Sequence, residues 1–473
     1  MNPRRPNILL YCTDQQRFDT IGALGNPHVQ TPTLDRLVNT GTAFTHTYCQ
    51  SPICTPSRSS LMTGLYPSRV HNTRNGNATF PDHPPLISKL IADSGYDCGM
   101  IGKFHLQSSG HRTEPRLDDG FRVWQFSHAP RDEWPRGEHD YADWVREKGG
   151  DLTAMRESPD RVPAEFHQTT WATQRAIEFI DDAGKARADD QPWFLNLNIY
   201  DPHPPFIPPK AYEDRFDPAT LSGPHFEPDD LKTQEKLKAA DFQGEVIPPE
   251  ERDAKADQAR YYAMIALIDD QLARLLAHLD ASGQAENTII IFTSDHGETL
   301  GDHGLMFKGC RFYEGLVRVP LIFHAPGKVA EKLQSDALVE LLDLSATLLD
   351  LTGVALPAYH QGKSLLPILS GKASPDTHRD FVRCEYFDAL APDFTGGHGA
   401  FATMHRTRSH KLSLYHSIGG VGELYDLSTD PWEHRDLWDN PDSRETRDQL
   451  ILQSFDAHVM LTTDVGSERI APM

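Results

Sequence analysis

Short apolar runs that end in polar residues recur along this chain, with helical patterns between them. The four clearest runs are Asn7–Cys12 before TDQQ, Tyr96–Ile101 before GKFHL, Phe194–Tyr200 before DPHPPF and Thr288–Thr293 before SDHGE. Runs of four to eight apolar and β-branched residues separated by helices are typical of parallel strands buried on both faces. The pattern predicts an α/β fold with a large, mainly parallel sheet sandwiched by helices.

The segments between these runs show helical spacing. In Met264–Leu279, leucine and isoleucine recur every three or four residues, which predicts one apolar face packed on the sheet. Ser335–Leu351 shows similar spacing, and Gly353 follows as its predicted C-cap. The segment His128–Asp151 is polar with little periodicity, and we predict a long surface insertion there.

The pattern changes near residue 375. The short alternating runs FVRCEYF, HKLSLYH and ELYDLSTDP follow, and Thr446–Val459 closes with helical spacing. We predict a catalytic domain over residues 1–375 and a small C-terminal subdomain over 376–473, built from an antiparallel sheet and a helix.

Composition excludes several classes of protein. With 473 residues, 38% of them hydrophobic, the chain is long enough for a large core. Its net charge of -22, from 46 basic and 68 acidic residues, argues against nucleic-acid or anionic-membrane partners. No apolar run approaches the roughly 18 residues of a membrane span, and we interpret the opening MNPRRPNILLYCTD as a first strand rather than a secretory leader.

The cysteines are sparse and scattered. They are Cys12, Cys49, Cys54, Cys98, Cys310 and Cys384. Their spacing matches neither a disulfide framework nor a zinc ribbon, so we expect small buried hydrophobic residues in a cytoplasmic protein. The surroundings of Cys54 set it apart from the other five.

Polar residues follow each of the four predicted strands, where ligands bind in open α/β sheets. The strand ends would bring together Asp14, Gln15, Lys103, His105, His203, Asp295 and His296. Each has a plain explanation when taken alone: Asp14 as a helix cap, His203 as a packed turn residue, and Lys103, like the later Lys308, as a solvated side chain.

Taken together, these residues predict a metal site. Oxygen donors from Asp14, Gln15 and Asp295, with the imidazole of His296, favour Ca²⁺ or Mn²⁺ over thiolate-bound zinc.

The stretch CTPSR places Cys54 at the mouth of a predicted helix. Pro56 suits the first helical turn, and Thr55 or Ser57 would cap it. A helix N-terminus favours negative charge, and Arg58 follows one turn later. These features leave open a buried thiol beside a structural arginine, or a thiol nucleophile of a cysteine hydrolase.

CTPSR followed by SSLMTGLYPSR resembles the signature of the sulfatase family, in which the cysteine of C-x-P-x-R is oxidised after translation to formylglycine. GYDCGMIGKFHL resembles a second block of the family, ending in G-K-x-H-L. PNILLYCTDQQ, YDPHPPF, IIIFTSDHGETLGDHGLMFKG and ELYDLSTDPWEHRDL resemble further blocks in the same order. The resemblance covers nearly the whole chain.

The resemblance implies hydrolysis of aryl or alkyl sulfate monoesters by a hydrated formylglycine with one divalent metal, after maturation by a formylglycine-generating enzyme. It implies metal ligation by Asp14, Gln15, Asp295, His296 and the modified Cys54. It further implies proton acceptance by Asp295, a diol contact from Arg58, sulfate binding by Lys103 and Lys308, diol deprotonation by His105, and leaving-group protonation by His203 with Lys308. Asn75 is a further candidate for a sulfate contact.

Two positions depart from the usual family site, which has an Asp and an Asn where this chain has Gln15 and His296. Both replacements resemble the phosphonate monoester and phosphodiester hydrolase branch and favour Mn²⁺. Lys103 and His105, absent from that branch, indicate sulfate esters. A phosphonate or phosphodiester hydrolase and a non-catalytic anion-binding homologue with an unmodified Cys54 remain alternatives.

Three loops are predicted to select the alcohol part of the substrate: Gln107–Gly120, His128–Asp151 and the DFTGGHGAF stretch. The tail TTDVGSERIAPM is a candidate for packing on a neighbouring subunit of a homo-oligomer.

Overall fold

Two β-sheets organise the protein, one of eight strands and one of four. The computed structural model describes residues 5–110, 112–185, 191–391, 399–416 and 418–463. The strands of the large sheet are β1 (Asn7–Asp14), β2 (Thr42–Tyr48), β3 (Asp97–Gly102), β4 (Val123–Phe126), β5 (Trp193–Pro202), β6 (Thr288–Ser294), β7 (Arg318–His324) and β8 (Leu333–Glu340). Those of the small sheet are β9 (Phe381–Phe387), β10 (Phe401–Thr407), β11 (His410–Tyr415) and β12 (Val421–Asp426).

Helices cover the large sheet and close the chain. Within the described ranges they are α1 (Pro32–Thr40), α2 (Cys54–Thr63), α3 (Pro67–Val70), α4 (Ile87–Asp93), α5 (Asp140–Glu147), α6 (Leu152–Glu157), α7 (Gln168–Lys185), α8 (Lys210–Glu213), α9 (Asp230–Lys236), α10 (Ala254–Ala281), α11 (Glu314–Val317), α12 (Leu341–Thr352), α13 (Leu366–Leu369) and α14 (Arg444–Thr462). None of these helices combines the length and the hydrophobicity needed to cross a lipid bilayer.

The large sheet has the strand order β4-β3-β5-β1-β6-β7-β2-β8. All neighbouring pairs are parallel except the two that involve β7. At the centre, Leu10 of β1 lies opposite Asn196 of β5 and Ile291 of β6. Because β3, β5, β1 and β6 are parallel neighbours, their carboxyl ends meet at one edge of the sheet.

Alternate residues of β1 enter two hydrophobic cores, as the two-residue period of a strand requires. Leu9 and Tyr11 pack with apolar residues of α1, α7 and α10. Ile8 and Leu10 pack with those of α4 and α12 on the opposite face. The sheet is therefore covered by helices on both faces, and the predicted α/β architecture is confirmed.

The helix predicted from Ser335 is shorter than expected. Ser335–Glu340 continue β8, which pairs in parallel with β2, and α12 begins only at Leu341. A capping box fixes this start: the Glu340 side chain accepts from the N3 backbone, and Asp343 Oδ2 accepts from the Glu340 amide at 3.0 Å. The spacing between Leu338 and Leu341 spans a strand-to-helix junction, so it gave a false helical period. The predicted C-cap is confirmed, since Gly353 has a φ of 74°.

The segment His128–Asp151 is not wholly a surface insertion. It contains α5, whose Tyr141 and Val145 are buried in the core that also holds α7. His139 caps this helix, because its Nδ1 accepts from the Ala142 amide at 3.2 Å.

The small sheet is antiparallel in the order β12-β11-β10-β9, and α14 follows it as the closing helix. Arg379, just before β9, ties this region to α12, because its Nε donates to Asp343 Oδ2 at 2.7 Å. The predicted second, antiparallel sheet is thus confirmed, while the boundary near residue 375 stays a prediction. Residues 393–398 of DFTGGHGAF and residues 464–473 of the tail lie outside the described residues.

Candidate active site

Cys54 is the first residue of α2 and is fully buried. Ile53 before it is extended, and the amide of Ser57 donates to the Ile53 carbonyl at 3.1 Å, which starts the helix. The predicted cap is wrong, since neither Thr55 nor Ser57 caps α2. Thr55 Oγ1 instead donates to Asn75 Oδ1 at 3.0 Å, and Ser57 Oγ donates to the Asp295 carbonyl at 2.6 Å. The second bond fixes the start of α2 against the end of β6.

Asp14, Cys54, Asp295 and His296 form one buried cluster at the carboxyl edge of the sheet. Their ligand-type atoms lie within 4.8 Å of one another. His296 Nε2 is 3.1 Å from Cys54 Sγ and 3.9 Å from both Asp14 Oδ1 and Asp295 Oδ1. Three separate segments thus deliver four predicted ligands to one point.

The donor set fits a divalent cation. Six ligands about 2.2 Å from a cation lie roughly 3.1 Å from their neighbours and 4.4 Å from the ligand opposite, and the separations around His296 Nε2 fall in this interval. His296 Nδ1 is 2.8 Å from the Gly297 carbonyl, which leaves Nε2 facing the cluster. A backbone partner of this kind is the usual support for a metal-binding histidine.

Gln15 stands beside this cluster at an irregular strand end. The β1–β5 register shifts between Thr13 and Asp14, and Gln15 has a φ of 70°. The backbone amide of Gln15 donates to Asp295 Oδ1 at 3.0 Å, while its side-chain Oε1 accepts from Lys308 Nζ at 2.8 Å. The side-chain oxygen is therefore turned towards the same space as Cys54.

Two buried lysines flank the Cys54 sulfur. Lys308 Nζ is 2.9 Å from Sγ, and Lys103 Nζ is 3.9 Å from Sγ and 2.5 Å from Asp14 Oδ2. Each lysine is only 2% exposed, so the alternative of solvated side chains is excluded. Two cations aimed at one buried point provide positive charge for an anion.

Arg58 contacts residues of β1 and β5 and the residues that directly follow β3 and β6. Its Nε donates to Asp295 Oδ2 at 2.7 Å, and its Nη1 donates to the Lys103 carbonyl and to Asn198 Oδ1. Its Nη2 lies 3.6 Å from Asp14 Oδ2. Because one turn of helix separates it from Cys54, Arg58 sets the position of α2 relative to the metal cluster.

The charges around Cys54 act on one another strongly. Burial and Asp14 raise the pKa of the Cys54 thiol, but Lys103, Lys308 and His296 outweigh them and lower it. Burial also disfavours the ionised form of Asp14, yet Lys103 and the neighbouring cations hold the pKa of Asp14 well below its ordinary value. The site thus favours negative charge at position 54.

His203 contacts Lys308 on the open side of the cluster. Lys308 Nζ donates to His203 Nε2 at 3.0 Å, and His203 Nδ1 is 2.6 Å from the Pro204 carbonyl. Burial, Lys308 and Lys103 lower the pKa of His203 well below its ordinary value. A neutral ring with its proton on Nδ1 therefore accepts from Lys308, and the two side chains form one proton-sharing pair.

His105 lies in a tight turn after β3 and has a φ of 58°. The Glu114 carboxylate holds this turn by accepting from the amides of His105, Leu106 and Gln107 at 2.6–2.8 Å. Within the described residues, His105 Nδ1 has no hydrogen-bond partner, and the ring packs edge-on against His128 at 4.6 Å. The imidazole is thus held in place with one nitrogen unsatisfied.

Asn75, the further candidate for a sulfate contact, contacts Thr55 and Ala389. The side-chain oxygen of Asn75 accepts from Thr55, the residue next to Cys54. The backbone amide of Asn75 donates to the Ala389 carbonyl at 2.8 Å. It supports the neighbour of Cys54 rather than contacting the sulfur itself.

Sequence reasoning missed Glu298 and Asn198. Glu298, fully buried, accepts from Gln15 Nε2 and from the amides of Leu300 and Phe307, so it orients the Gln15 side chain. Asn198 accepts from Arg58 at 3.2 Å. The sequence signal for Glu298 is a charged residue within SDHGE. The signal for Asn198 is a polar residue inside the apolar run of β5.

Two family models together match most of the chain. The family model described as Sulfatase matches residues 6–354, and the model described as N-sulphoglucosamine sulphohydrolase, C-terminal, matches residues 301–457. The chain is 28% identical to an arylsulfatase of Clostridium perfringens over 94% of this chain and 93% of that protein. It is 33% identical to the multifunctional alkaline phosphatase superfamily protein PehA of Trinickia caryophylli over 78% of each.

A solved structure extends the likeness to the fold. The phosphonate monoester hydrolase of Agrobacterium radiobacter is 25% identical and superposes with a TM-score of 0.81, covering 97% of this chain and 96% of that one. The fold, the order of the site segments and the family match lead to one conclusion: this chain belongs to the sulfatase family.

Proposed function

We propose that this protein hydrolyses aryl or alkyl sulfate monoesters to an alcohol or phenol and inorganic sulfate, with Cys54 converted to formylglycine by a maturation enzyme. The observation that carries the proposal is the position of Cys54, at the start of α2 and within hydrogen-bonding range of Lys308, His296 and Asp14. A plain cysteine hydrolase would have no use for the carboxylates around it.

A divalent cation completes the site in this proposal. Asp14, Gln15, Asp295, His296 and the modified residue 54 would hold it. When bound, it would add positive charge where negative charge develops on the sulfate oxygens. The oxygen-rich donor set with one imidazole suits Mn²⁺ or Ca²⁺.

The first step is attack by one hydroxyl of the hydrated aldehyde at residue 54 on sulfur. Asp295 accepts the proton of this hydroxyl, and the new oxygen–sulfur bond replaces the ester bond to the alcohol. Lys103 and Lys308 bind the sulfate oxygens and stabilise their charge. Arg58 holds the Asp295 carboxylate in place, because its Nε donates to Asp295 Oδ2 at 2.7 Å.

Departure of the alcohol needs a proton for all but the best leaving groups. The Lys308–His203 pair supplies it, because Lys308 Nζ lies between Cys54 Sγ at 2.9 Å and His203 Nε2 at 3.0 Å. The proton moves from this shared hydrogen bond to the ester oxygen.

Release of sulfate is an elimination in this scheme. His105 takes the proton of the second hydroxyl of residue 54, the carbon–oxygen bond to sulfate breaks, and the aldehyde reforms. A water molecule then adds to the aldehyde and restores the hydrate. The unsatisfied Nδ1 of His105 supports its role as the base.

A second candidate, hydrolysis of phosphonate monoesters or phosphodiesters, is favoured by Gln15 and His296 at the metal cluster. Both tetrahedral anions would meet the same nucleophile and the same cations. Measurement of kcat/KM for matched aryl sulfate and aryl phosphonate esters separates the two. We expect the sulfate ester to be preferred, and a higher kcat/KM for the phosphonate would overturn the primary assignment.

A further inference from the structure

Asp230, His303 and His434 form a second cluster of metal-ligating side chains, away from Cys54. Asp230 is the first residue of α9, His303 lies in the loop between β6 and β7, and His434 follows β12. We infer that these three residues bind a divalent transition-metal ion of the zinc class, in a site separate from the candidate active site. Neither histidine has a part in the proposed reaction.

The distances within the cluster match a tetrahedral ion. His434 Nδ1 is 3.1 Å from both Asp230 oxygens, and His303 Nδ1 is 3.4 Å from Asp230 Oδ1. Ligands at 2.0–2.1 Å from tetrahedral zinc lie about 3.3 Å apart. Charge-assisted hydrogen bonds are shorter, at about 2.7–2.9 Å. The three side chains therefore have the spacing of ligands around one ion, and the His434–Asp230 contact is also within hydrogen-bond range.

Burial differs among the three residues in a way that suits such a site. The side chains of Asp230 and His303 are 1% and 4% exposed, whereas that of His434 is 13% exposed. The side nearest His434 gives an ion its entry path and leaves a position for a water ligand.

Surrounding groups hold two of the ligands in place. The ring of His303 stacks on Tyr313 with centroids 3.8 Å apart. Tyr313 in turn accepts from Gln234 and donates to Glu423, each at 2.8 Å. The amide of Glu227 donates to Asp230 Oδ2 at 2.9 Å. Supports of this kind orient metal ligands and sustain metal affinity.

The charge and chemistry of the donors select the class of ion. Two imidazoles and one carboxylate favour Zn²⁺, Co²⁺ or Ni²⁺ over Ca²⁺. The carboxylates of Glu227 and Asp430 lie near His434 and add negative potential.

An ion here would join the catalytic loop to the C-terminal region. His303 stands five residues before Lys308 in the same loop, while His434 belongs to the segment after the small sheet. The ion would therefore brace the loop that carries Lys308 against the second sheet.

The test is Co²⁺ titration of the full-length protein after removal of bound metal, followed by visible absorption and by metal content after gel filtration. We expect wild type to bind one more equivalent than His434→Ala and to show the intense absorption of tetrahedral cobalt, which the variant lacks. His410→Ala is the matched control, because His410 is a histidine of the small sheet outside the cluster; it should behave as wild type.

Asp230→Asn provides a second variant that preserves shape while removing the charge. We expect its Co²⁺ affinity at this site to fall at least tenfold, with an unchanged near-ultraviolet circular dichroism spectrum. Equal stoichiometry and equal spectra in wild type, His434→Ala and Asp230→Asn would overturn the inference. The result does not depend on conversion of Cys54, so it stands apart from the test of the enzymatic proposal.

Discussion

Replacement of His203 by alanine tests how the leaving group receives its proton. The variant removes Nε2, 3.0 Å from Lys308 Nζ, and with it one half of the proton-sharing pair. General acid catalysis contributes about 10²–10⁴-fold to rate, or roughly 3–5 kcal/mol. Because Lys308 remains 2.9 Å from position 54 and retains a proton, we expect the loss to lie near 10² for an alkyl sulfate.

The assay is a leaving-group series on fully converted protein, from nitrophenyl sulfate to alkyl sulfates. A nitrophenolate leaves without protonation, so kcat/KM for that ester should fall by less than about fivefold. His203→Gln is the control for positioning, since an amide oxygen can accept from Lys308 but cannot carry the proton; it should show the same steep dependence as His203→Ala. Equal losses across the series, or full rescue by glutamine, would remove His203 from the acid role.

Three further predictions test other parts of the site and the fold. Cys54→Ala should abolish turnover while leaving the thermal midpoint within a few degrees of wild type; retained activity in a sulfate-release assay would refute the role of residue 54. Glu298→Gln should weaken Mn²⁺ binding about 10–100-fold by calorimetry, because Glu298 orients Gln15, and unchanged affinity would show that Gln15 does not ligate. Asp343→Asn should lower the free energy of unfolding by about 2–3 kcal/mol at pH 7, because the half-buried Arg379 loses one of its two carboxylate partners and keeps only Glu340 at 3.2 Å. Arg379 holds the pKa of Asp343 well below its ordinary value, although burial opposes this, so the stabilisation is present above the ordinary pKa and is lost as pH falls below it. Urea unfolding at pH 7 and pH 3 should therefore give a smaller difference between variant and wild type at the lower pH, and a constant difference would contradict the assignment.

The sequence predicts the centre of the sheet well because β1, β3, β5 and β6 are buried on both faces, and such strands are mostly apolar along their length. Their parallel arrangement places the polar residues that follow them at one edge, so Asp14, Lys103, His203 and Asp295 were foreseeable as neighbours. The start of α12 was not, because leucines at 338 and 341 mimic a helical spacing across a strand end. Burial of α5 was equally hidden, since its inner face is formed by just three buried residues, Tyr141, Ala142 and Val145.

Residues that act through contacts distant in sequence were also beyond prediction. Asn198 and Arg58 are hydrogen-bonded although they lie 140 positions apart in the sequence, and Glu298 and Gln15 lie 283 positions apart. A local sequence pattern does not predict such pairs. The cluster of Asp230, His303 and His434 is a sharper case, because its members come from three segments that meet only in the folded chain.

The most direct test of the account is to relate activity to the chemical state of residue 54. Protein produced with and without a formylglycine-generating enzyme is digested, and the Cys54 peptide is measured by mass spectrometry beside sulfate ester hydrolysis of the same samples. We predict that turnover rises in proportion to the fraction of peptide in which an aldehyde oxygen replaces sulfur. Full activity in a sample whose peptide carries only the thiol would contradict the central claim.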